Sequence, residues 1–380
     1  MINDKLKVVT IVGTRPEIIR LSVIIPLFDK YFNHILVHTG QNYDYELNEI
    51  FFEDLEIRKP NHFLNVDASS LGTVIGETIS KGEKVLLDEK PDAVLILGDT
   101  NSSLVAIIAK RLRIPIFHME AGNRSFDMNV PEEINRKIVD HIADFNLVYT
   151  EHARRHLISE GLQHRRIYLT GSPLLEVINK FSKKINSSQI LTDLELIPNK
   201  YFVVSIHREE NVDNKSNLIE ILNTLNSLTK VYNLPIIVST HPRTRKRIEK
   251  LDGFDENKLL HFMKPFGYFD YVFLQKNAVC VISDSGTISE ESSILNFPAI
   301  SIRQSMERPE AQDAGRIILT GFDKKTLFNS INFILDDKEQ EEKNSLPIEY
   351  LIDNTSRRVL KLIMGNTGLS NKWWGINKDV

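Results

Sequence analysis

Acids, arginines and histidines recur where short apolar runs end. The stretch "HMEAGNRSFDMNVPEEINRK", His118 to Lys137, gathers Glu120, Asp127, Glu132 and Glu133 with Arg124 and Arg136 around one strand end and one helix start. Acids in a first helical turn complement the helix dipole, and Pro131 suits the first helical position, so some of these residues need no chemical role. Asp99 in "GDTNS" ends another apolar run, and "SIHREEN" places His207 and Arg208 at a third. Carboxylates and a histidine gathered in this way equip a site to move protons.

Other strand ends suit an anion. "ISDSGTISEES" reads as strand, small-residue turn at Ser285 and Gly286, and helix from near Thr287. Free backbone N–H groups at such a turn suit a diphosphate, with Glu290 and Glu291 a turn further on for ribose hydroxyls. The competing reading is a plain capping box, Ser285 or Thr287 paired with a downstream Glu. "GTRPEIIR" places Arg15 within reach of a diphosphate and Arg20 further along the first helix. "THPRTRKR" adds His241 and three arginines, either a second anion contact or a solvated helix start, and "RQSMERPEAQDAG" brings Glu307, Arg308 and Glu310 to a loop over the site. Gly-x-Gly-x-x-Gly after the first strand, a Walker loop, His-Glu-x-x-His and Cys-x-x-Cys are all missing, so the sequence supports no redox cofactor, no ATP-driven step and no metal.

These residues need a scaffold. Short Val, Ile and Leu runs, each followed by a helix-length segment, are what a parallel sheet buried on both faces requires. They are "KVVTIVG", "HILVHTG", "DAVLILGD", "IPIFHMEAG", "FNLVYT" and "RIYLTG", then, after a polar stretch, "YFVVSIH", "LPIIVSTH", "LLHFM", "AVCVISDSG" and "PAISIR". The expected fold class is α/β, two Rossmann-like doubly wound domains in tandem with the break near Gly171 and the active site in a cleft between them. The expected division is an N-terminal domain over 1–170, a C-terminal domain over 171–362 and a tail over 363–380 whose two tryptophans pack back on the first domain.

Composition narrows the partners. With 47 basic against 51 acidic residues the net charge is −4, which argues against a nucleic-acid groove or a membrane surface as the main partner. One cysteine, Cys280, in the apolar run "AVCVIS", excludes an internal disulfide, and the short N-terminal apolar run reads as neither signal peptide nor span; a cytoplasmic location is expected.

Two chemistries fit a diphosphate cleft with several carboxylates. A glycosyltransferase passes the sugar to an acceptor and needs one base. An epimerase needs acid or base groups on both faces of one carbon. Carbon 2 of an N-acetylated sugar has no adjacent ketone, but departure of the diphosphate leaves positive charge on carbon 1 and acidifies the carbon 2 proton. The carboxylate count favours elimination and readdition, and spacing alone leaves both chemistries open.

"GTRPE", "TGQ", "LGDTNSS", "MEAGNR", "PEEINR", "DH", "TE", "TGSP", "HREEN", "THPR", "SDSG", "EE" and "ERPEA" fall in order over roughly residues 8 to 321. In this they resemble the non-hydrolysing UDP-N-acetylglucosamine 2-epimerases. The resemblance implies a glycosyltransferase-B-like fold, usually homodimeric, that eliminates UDP to a 2-acetamidoglycal and adds it back on the other face. It implies Asp99, Glu120 and Glu132 as catalytic acids with His207 near the leaving diphosphate. Arg15 and the Ser285–Gly286–Thr287 turn would hold the diphosphate, Glu291 the ribose and Tyr271 the uracil, with Arg20, Arg136, Arg208, His241 and Arg308 completing the UDP-sugar set.

The departures from the family pattern also carry expectations. Arg20 stands for a lysine, Thr287 for a glycine and Glu209 for an arginine. "GQNYDYELNE" replaces the run that holds an allosteric UDP-sugar in bacterial members, so activation by substrate is not expected. The loop "EAGNRSFDMNVPEE" is two residues shorter than usual. With "HTGQNYDYELNE" and "TEHARR" it looks most like the branch that epimerises UDP-2-acetamido-2,6-dideoxy-L-talose to UDP-N-acetyl-L-fucosamine for capsule or O-antigen synthesis, since Phe126 or Met128 would suit a 6-deoxy sugar. The alternatives are the UDP-N-acetylglucosamine/UDP-N-acetylmannosamine reaction and, from another class, a UDP-sugar glycosyltransferase.

Overall fold

The β-branched runs form strands because both faces of each are covered. The computed structural model describes residues 5–40, 51–212, 214–240, 242–249, 251, 257–336 and 346–376. Among them the strands are β1 (Lys7–Val12), β2 (Asn33–His38), β3 (His62–Phe63), β4 (Ala93–Leu97), β5 (Ile116–Met119), β6 (Phe145–Val148) and β7 (Ile167–Leu169), then β8 (Phe202–Ser205), β9 (Ile236–Ser239), β10 (Leu260–Met263), β11 (Cys280–Ser283), β12 (Ala299–Ser301) and β13 (Ile318–Leu319). All pair in parallel, the first seven in the order β3-β2-β1-β4-β5-β6-β7 and the last six in the order β10-β9-β8-β11-β12-β13. These are the two parallel α/β units of a glycosyltransferase-B-like fold. Strands β3 and β13 are additions to the sequence reading; at two residues each, they are too short to show a period.

In the second sheet Phe202 and Val204 pack into one core with Ile236, Val238 and Ile282, while Tyr201 and Val203 pack into another with Ile237, Val281 and Leu274. Residues two apart share a face, so a strand with an apolar residue at every position needs cover on both sides. The first sheet does the same. Val9, Ile11, Val94 and Ile96 face a core with Val105, Ala109 and Val139 of the helices Val105–Arg111 and Pro131–Ile142, and Val8, Leu95 and Phe117 are fully buried on the other side.

The chain forms two compact units, one of residues 1–180 and 352–380 and the other of 181–351. Gly171 lies at a positive φ of 78°, and a Cβ there would stand 2.7 Å from Ile352, so only glycine fits where the returning chain passes. The helix Thr355–Trp373 buries Val359, Leu360 and Ile363, and beyond it Trp374 lies under Arg166, whose guanidinium is 3.5 Å from the ring centre. No helix among the described residues is long and apolar enough to cross a membrane.

Candidate active site

In each sheet the strand order reverses between two neighbours, β1 and β4 in the first and β8 and β11 in the second. Ligands of open parallel sheets bind beyond the carboxyl ends of the strands at such a point. The motifs found there are Gly13–Thr14–Arg15 and Gly98–Asp99–Thr100 in the first unit, and His207–Arg208 and Asp284–Ser285–Gly286 in the second.

In the first unit the helix Pro131–Ile142 organises the acids. It carries Glu132, half-buried in its first turn. One turn on, Arg136 donates Nε to Asp99 Oδ2 at 2.6 Å and Nη1 to Glu133 Oε2 at 2.9 Å, and Asn135 donates to the Asp99 carbonyl at 2.9 Å. Near its end Asp140 accepts from the Gly122 backbone N–H at 3.1 Å and from Arg124 Nη1 at 2.7 Å. Asp140 Oδ1 lies 2.9 Å from His118 Nδ1, and the other ring nitrogen is 2.8 Å from the Gly98 carbonyl. Burial opposes the Asp140 anion, yet the hydrogen bond and charge of His118 and the charge of Arg124 hold its pKa below the usual carboxylate range.

Glu120 directly follows β5 in the left-handed region, φ 63°, where a non-glycine residue costs about 1–2 kcal/mol. Its Oε2 is 4.0 Å from Arg20 Nε, and Asn123 donates to Oε1 at 3.4 Å. Arg20 is almost fully buried and also donates to Ser172 Oγ at 2.9 Å. Arg15 is half-buried, its guanidinium 4.9 Å from the Phe51 ring centre. Glu17, in the same motif, accepts from the Gly13 N–H and from Thr100 Oγ1, each at 2.6 Å, tying the β1 loop to the β4 loop. Burial pushes its pKa up to about 7 against these hydrogen bonds.

In the second unit Asp284 is the fixed point. It accepts from the backbone N–H groups of His207 and Arg208 and from Asn211 Nδ2 at 2.7 Å, and its Oδ1 is 3.1 Å from His207 Nδ1. The protein around the half-exposed His207 ring partly desolvates it and lowers its pKa, but the hydrogen bond and charge of Asp284 outweigh this and hold it above the ordinary value. Glu307 accepts from Arg303 at 2.7 Å and Arg208 at 3.2 Å, and Arg308 donates to the Gly286 carbonyl at 3.1 Å while its Nη1 lies 3.2 Å from Glu290. A Cβ at Gly286 would stand 2.5 Å from Glu307 Oε2, so the turn has no room for a side chain. Thr287 donates to Glu291 at 2.6 Å and Gln275 donates to its other oxygen at 2.9 Å. The Thr287 side chain pairs with the downstream Glu291, but no capping box forms, because Glu290 turns to Arg308 and the Thr287 hydroxyl accepts no backbone N–H of the helix Ile288–Leu295. Tyr271 lies beside this pair, with burial and the Glu291 charge pushing its phenol pKa up and a Ser205 hydrogen bond opposing them.

The candidates thus form two groups. Asp99, Glu120, Glu132, Arg15, Arg20 and Arg136 gather in the first unit; His207, Arg208, Ser285, Gly286, Thr287, Glu291, Tyr271 and Arg308 gather in the second. Glu133 is wholly buried between Arg136 and the Ser125 N–H and hydroxyl, a structural carboxylate. His241 and the "QNYDYELNE" run lie outside the described residues. The sequence reading passed over Glu17, His118, Asp140 and Arg303; the one signal for them was that each sits within or beside a quoted motif.

The family described as UDP-N-acetylglucosamine 2-epimerase matches residues 28–364. The UDP-N-acetylglucosamine 2-epimerase of Methanocaldococcus jannaschii is 38% identical over 341 residues, 88% of this chain and 93% of that protein. A crystal structure of UDP-GlcNAc 2-epimerase from that organism, in complex with UDP-GlcNAc and UDP, superimposes with a TM-score of 0.87 at 36% identity, over 94% of this chain and 99% of the other. The structure of UDP-N-acetylglucosamine 2-epimerase from Rickettsia bellii gives 0.91 at 49% identity, over 97% and 100%. The Pseudomonas aeruginosa UDP-2,3-diacetamido-2,3-dideoxy-D-glucuronate 2-epimerase is 34% identical over 321 residues, 83% of this chain and 88% of that protein. The chain therefore belongs to the UDP-N-acetylglucosamine 2-epimerase family and is a non-hydrolysing UDP-sugar 2-epimerase, an isomerase.

Proposed function

We propose that this chain interconverts UDP-N-acetylglucosamine and UDP-N-acetylmannosamine by eliminating UDP and adding it back. In the forward step the bond from carbon 1 to the diphosphate oxygen breaks, its electron pair leaves with UDP, and a carboxylate takes the carbon 2 proton, leaving a carbon 1–carbon 2 double bond. Proton return on the opposite face with readdition of UDP inverts carbon 2, and no redox cofactor or metal is consumed. The observation that carries the reading is the set of three carboxylates, Asp99, Glu120 and Glu132, on three elements tied to one helix by Arg136 and Asp140. Asp99, Glu120 and Glu132 handle the proton; His207, held by Asp284, stands at the leaving diphosphate. Arg15, Arg208, Arg308 and the Ser285–Gly286–Thr287 turn hold the diphosphate, Glu291 the ribose and Tyr271 the uracil, with Arg20 and His241 completing the set. The enzyme works as a cytoplasmic homodimer in this reading.

The relatives' names favour the D-gluco substrate over the 6-deoxy-L-talo sugar that the short loop suggested. The UDP-N-acetyl-L-fucosamine reading keeps one observation on its side. Phe126 and Met128 are 72% and 60% exposed in the loop between Glu120 and Glu132, apolar surface that a sugar methyl would cover. Incubation of each UDP-sugar in deuterium oxide without acceptor, followed by NMR, decides. Deuterium at carbon 2 with inversion and no net UDP release supports the epimerase, and the substrate that exchanges fastest names the reaction. Absence of label from every sugar tried would sink the proposal, and transfer only on adding an acceptor would restore the glycosyltransferase.

A further inference from the structure

We infer that the buried His118–Asp140 pair is the positioning device that sets Asp99 and Glu120 for the reaction, a role resting on the 2-epimerase reading above. Both residues are fully buried, so neither touches the substrate. Both ring nitrogens of His118 face oxygens that only accept, Nε2 the Gly98 carbonyl at 2.8 Å and Nδ1 the Asp140 carboxylate at 2.9 Å, so the ring serves both when each nitrogen carries a proton. The same carboxylate accepts the Gly122 N–H. The pair therefore grips the backbone immediately before Asp99 and two residues after Glu120.

Three further observations make this more than core packing. Glu120 sits in a left-handed conformation that its own sequence disfavours, and an outside constraint must hold it there. The anchor comes from the helix that carries Glu132 and, through Arg136, also holds Asp99. Arg124, itself fully buried, braces the anchor by donating to Asp140 and the Asn123 carbonyl and, with two nitrogens, to Glu160, each at 2.7 Å. One rigid element thus fixes the relative placement of all three acids, and displacement by about 1 Å costs a reacting group roughly a hundredfold in rate.

The test uses the full-length protein and three variants, Asp140→Asn, His118→Gln and His118→Asn, with UDP-N-acetylglucosamine. Gln keeps a donor where Nε2 stood and loses the Asp140 contact, while Asn does the reverse. Wild-type deuterium exchange at carbon 2 comes first; if it is absent with this sugar, the variants are run on whichever UDP-sugar the wild type labels, and if the wild type labels none the 2-epimerase reading fails before the pair is questioned. With exchange present, kcat for Asp140→Asn is expected to fall about a hundredfold while KM and UDP affinity stay within about twofold. The imidazole-replacing variants are expected to lose less than Asp140→Asn and to raise UDP release per epimerisation, since a misplaced acid returns its proton late. A kcat within about threefold of wild type in Asp140→Asn overturns the inference. So does a loss of UDP affinity or of wild-type circular dichroism in all three variants, which would make the pair a folding element only.

Discussion

Arg136 reaches Asp99 with two nitrogens, Nε and Nη2, each 2.6 Å from the same carboxylate oxygen, and spends Nη1 on the buried Glu133. A side chain that sequence reading assigns to substrate is thus also the link between a reactive acid and the helix beneath it. Arg136→Met takes from the buried Glu133 its nearer cation, leaving Lys137 at 3.9 Å, and is expected to destabilise the fold by about 3 kcal/mol, as for broken buried pairs. Arg136→Lys keeps the charge but not the fork and is expected to retain the fold while losing at least tenfold in kcat. Urea unfolding and steady-state kinetics on both variants check this; equal kcat in Lys and wild type would show that Asp99 is held by other means.

The buried carboxyl of Glu17 makes the fold pH-dependent. Its pKa is raised from 4.5 to about 7, so the folded state binds the proton more tightly than the unfolded chain. The contribution is complete below pH 4.5 and is lost as pH rises through about 7, up to ~3 kcal/mol in all. Glu17→Gln keeps a neutral group of the same shape, and its stability is expected to vary less than that of wild type between pH 5 and 8. Denaturant midpoints across that range measure the difference; parallel curves would refute it.

Gly286 has no room for a methyl group, with Glu307 Oε2 2.5 Å and Arg303 Nη1 3.2 Å from the place it would occupy. Gly286→Ala is expected to push Glu307 off Arg303 and Arg208, to weaken UDP binding about tenfold or more and to lower the melting temperature, because Arg303 and Glu307 form a buried pair. Calorimetry with UDP reads the first quantity and thermal unfolding the second.

The Asp284 carboxylate raises the His207 pKa against the partial desolvation that lowers it. Asp284→Asn removes the charge, so the imidazolium is expected to titrate at lower pH, visible by NMR of the ring protons. If protonated His207 steadies the departing diphosphate, the alkaline limb of kcat moves down with it. A ring that titrates as in wild type would separate the two residues.

Phe126 packs perpendicular to the ring of His156, ring centres 5.3 Å apart, and is largely exposed. Phe126→Ala is expected to leave stability within about 0.5 kcal/mol of wild type. If the loop selects the sugar, the ratio of kcat/KM between 6-deoxy and D-gluco substrates changes by tenfold or more. An unchanged ratio places the selection elsewhere.

What the sequence makes legible follows from locality. A strand buried on both faces announces itself in its own residues, and so does a glycine-containing turn at its end, which is why the two parallel units could be read from "DAVLILGD" or "AVCVISDSG". Residue type and spacing do not part Glu133 from its neighbour Glu132; the family resemblance singles out Glu132, and the fold gives the physical reason, because Arg136 and Ser125 bury Glu133 while Glu132 stays half-exposed. The His118–Asp140 contact joins residues 22 positions apart on a strand and a helix, and neither position carries a local mark of the other. The choice of sugar was read from about a dozen loop residues, and the similarity of the whole chain favours the D-gluco alternative instead. Loops report what a pocket can touch, whereas the reaction class is written in the strand ends.

The return of the chain at Ile352 bears on how the protein is made. The helix Thr355–Trp373 lays Val359, Leu360 and Ile363 into the unit of residues 1–180, and that unit is not finished until this helix has left the ribosome. Residues 181–351 form a continuous segment and can fold while the first-made half still waits for its final helix. The order of synthesis and the order of completion of the two units are therefore opposite, and a frameshift within the codons for Thr355–Trp373 would strike the unit whose strands were made first.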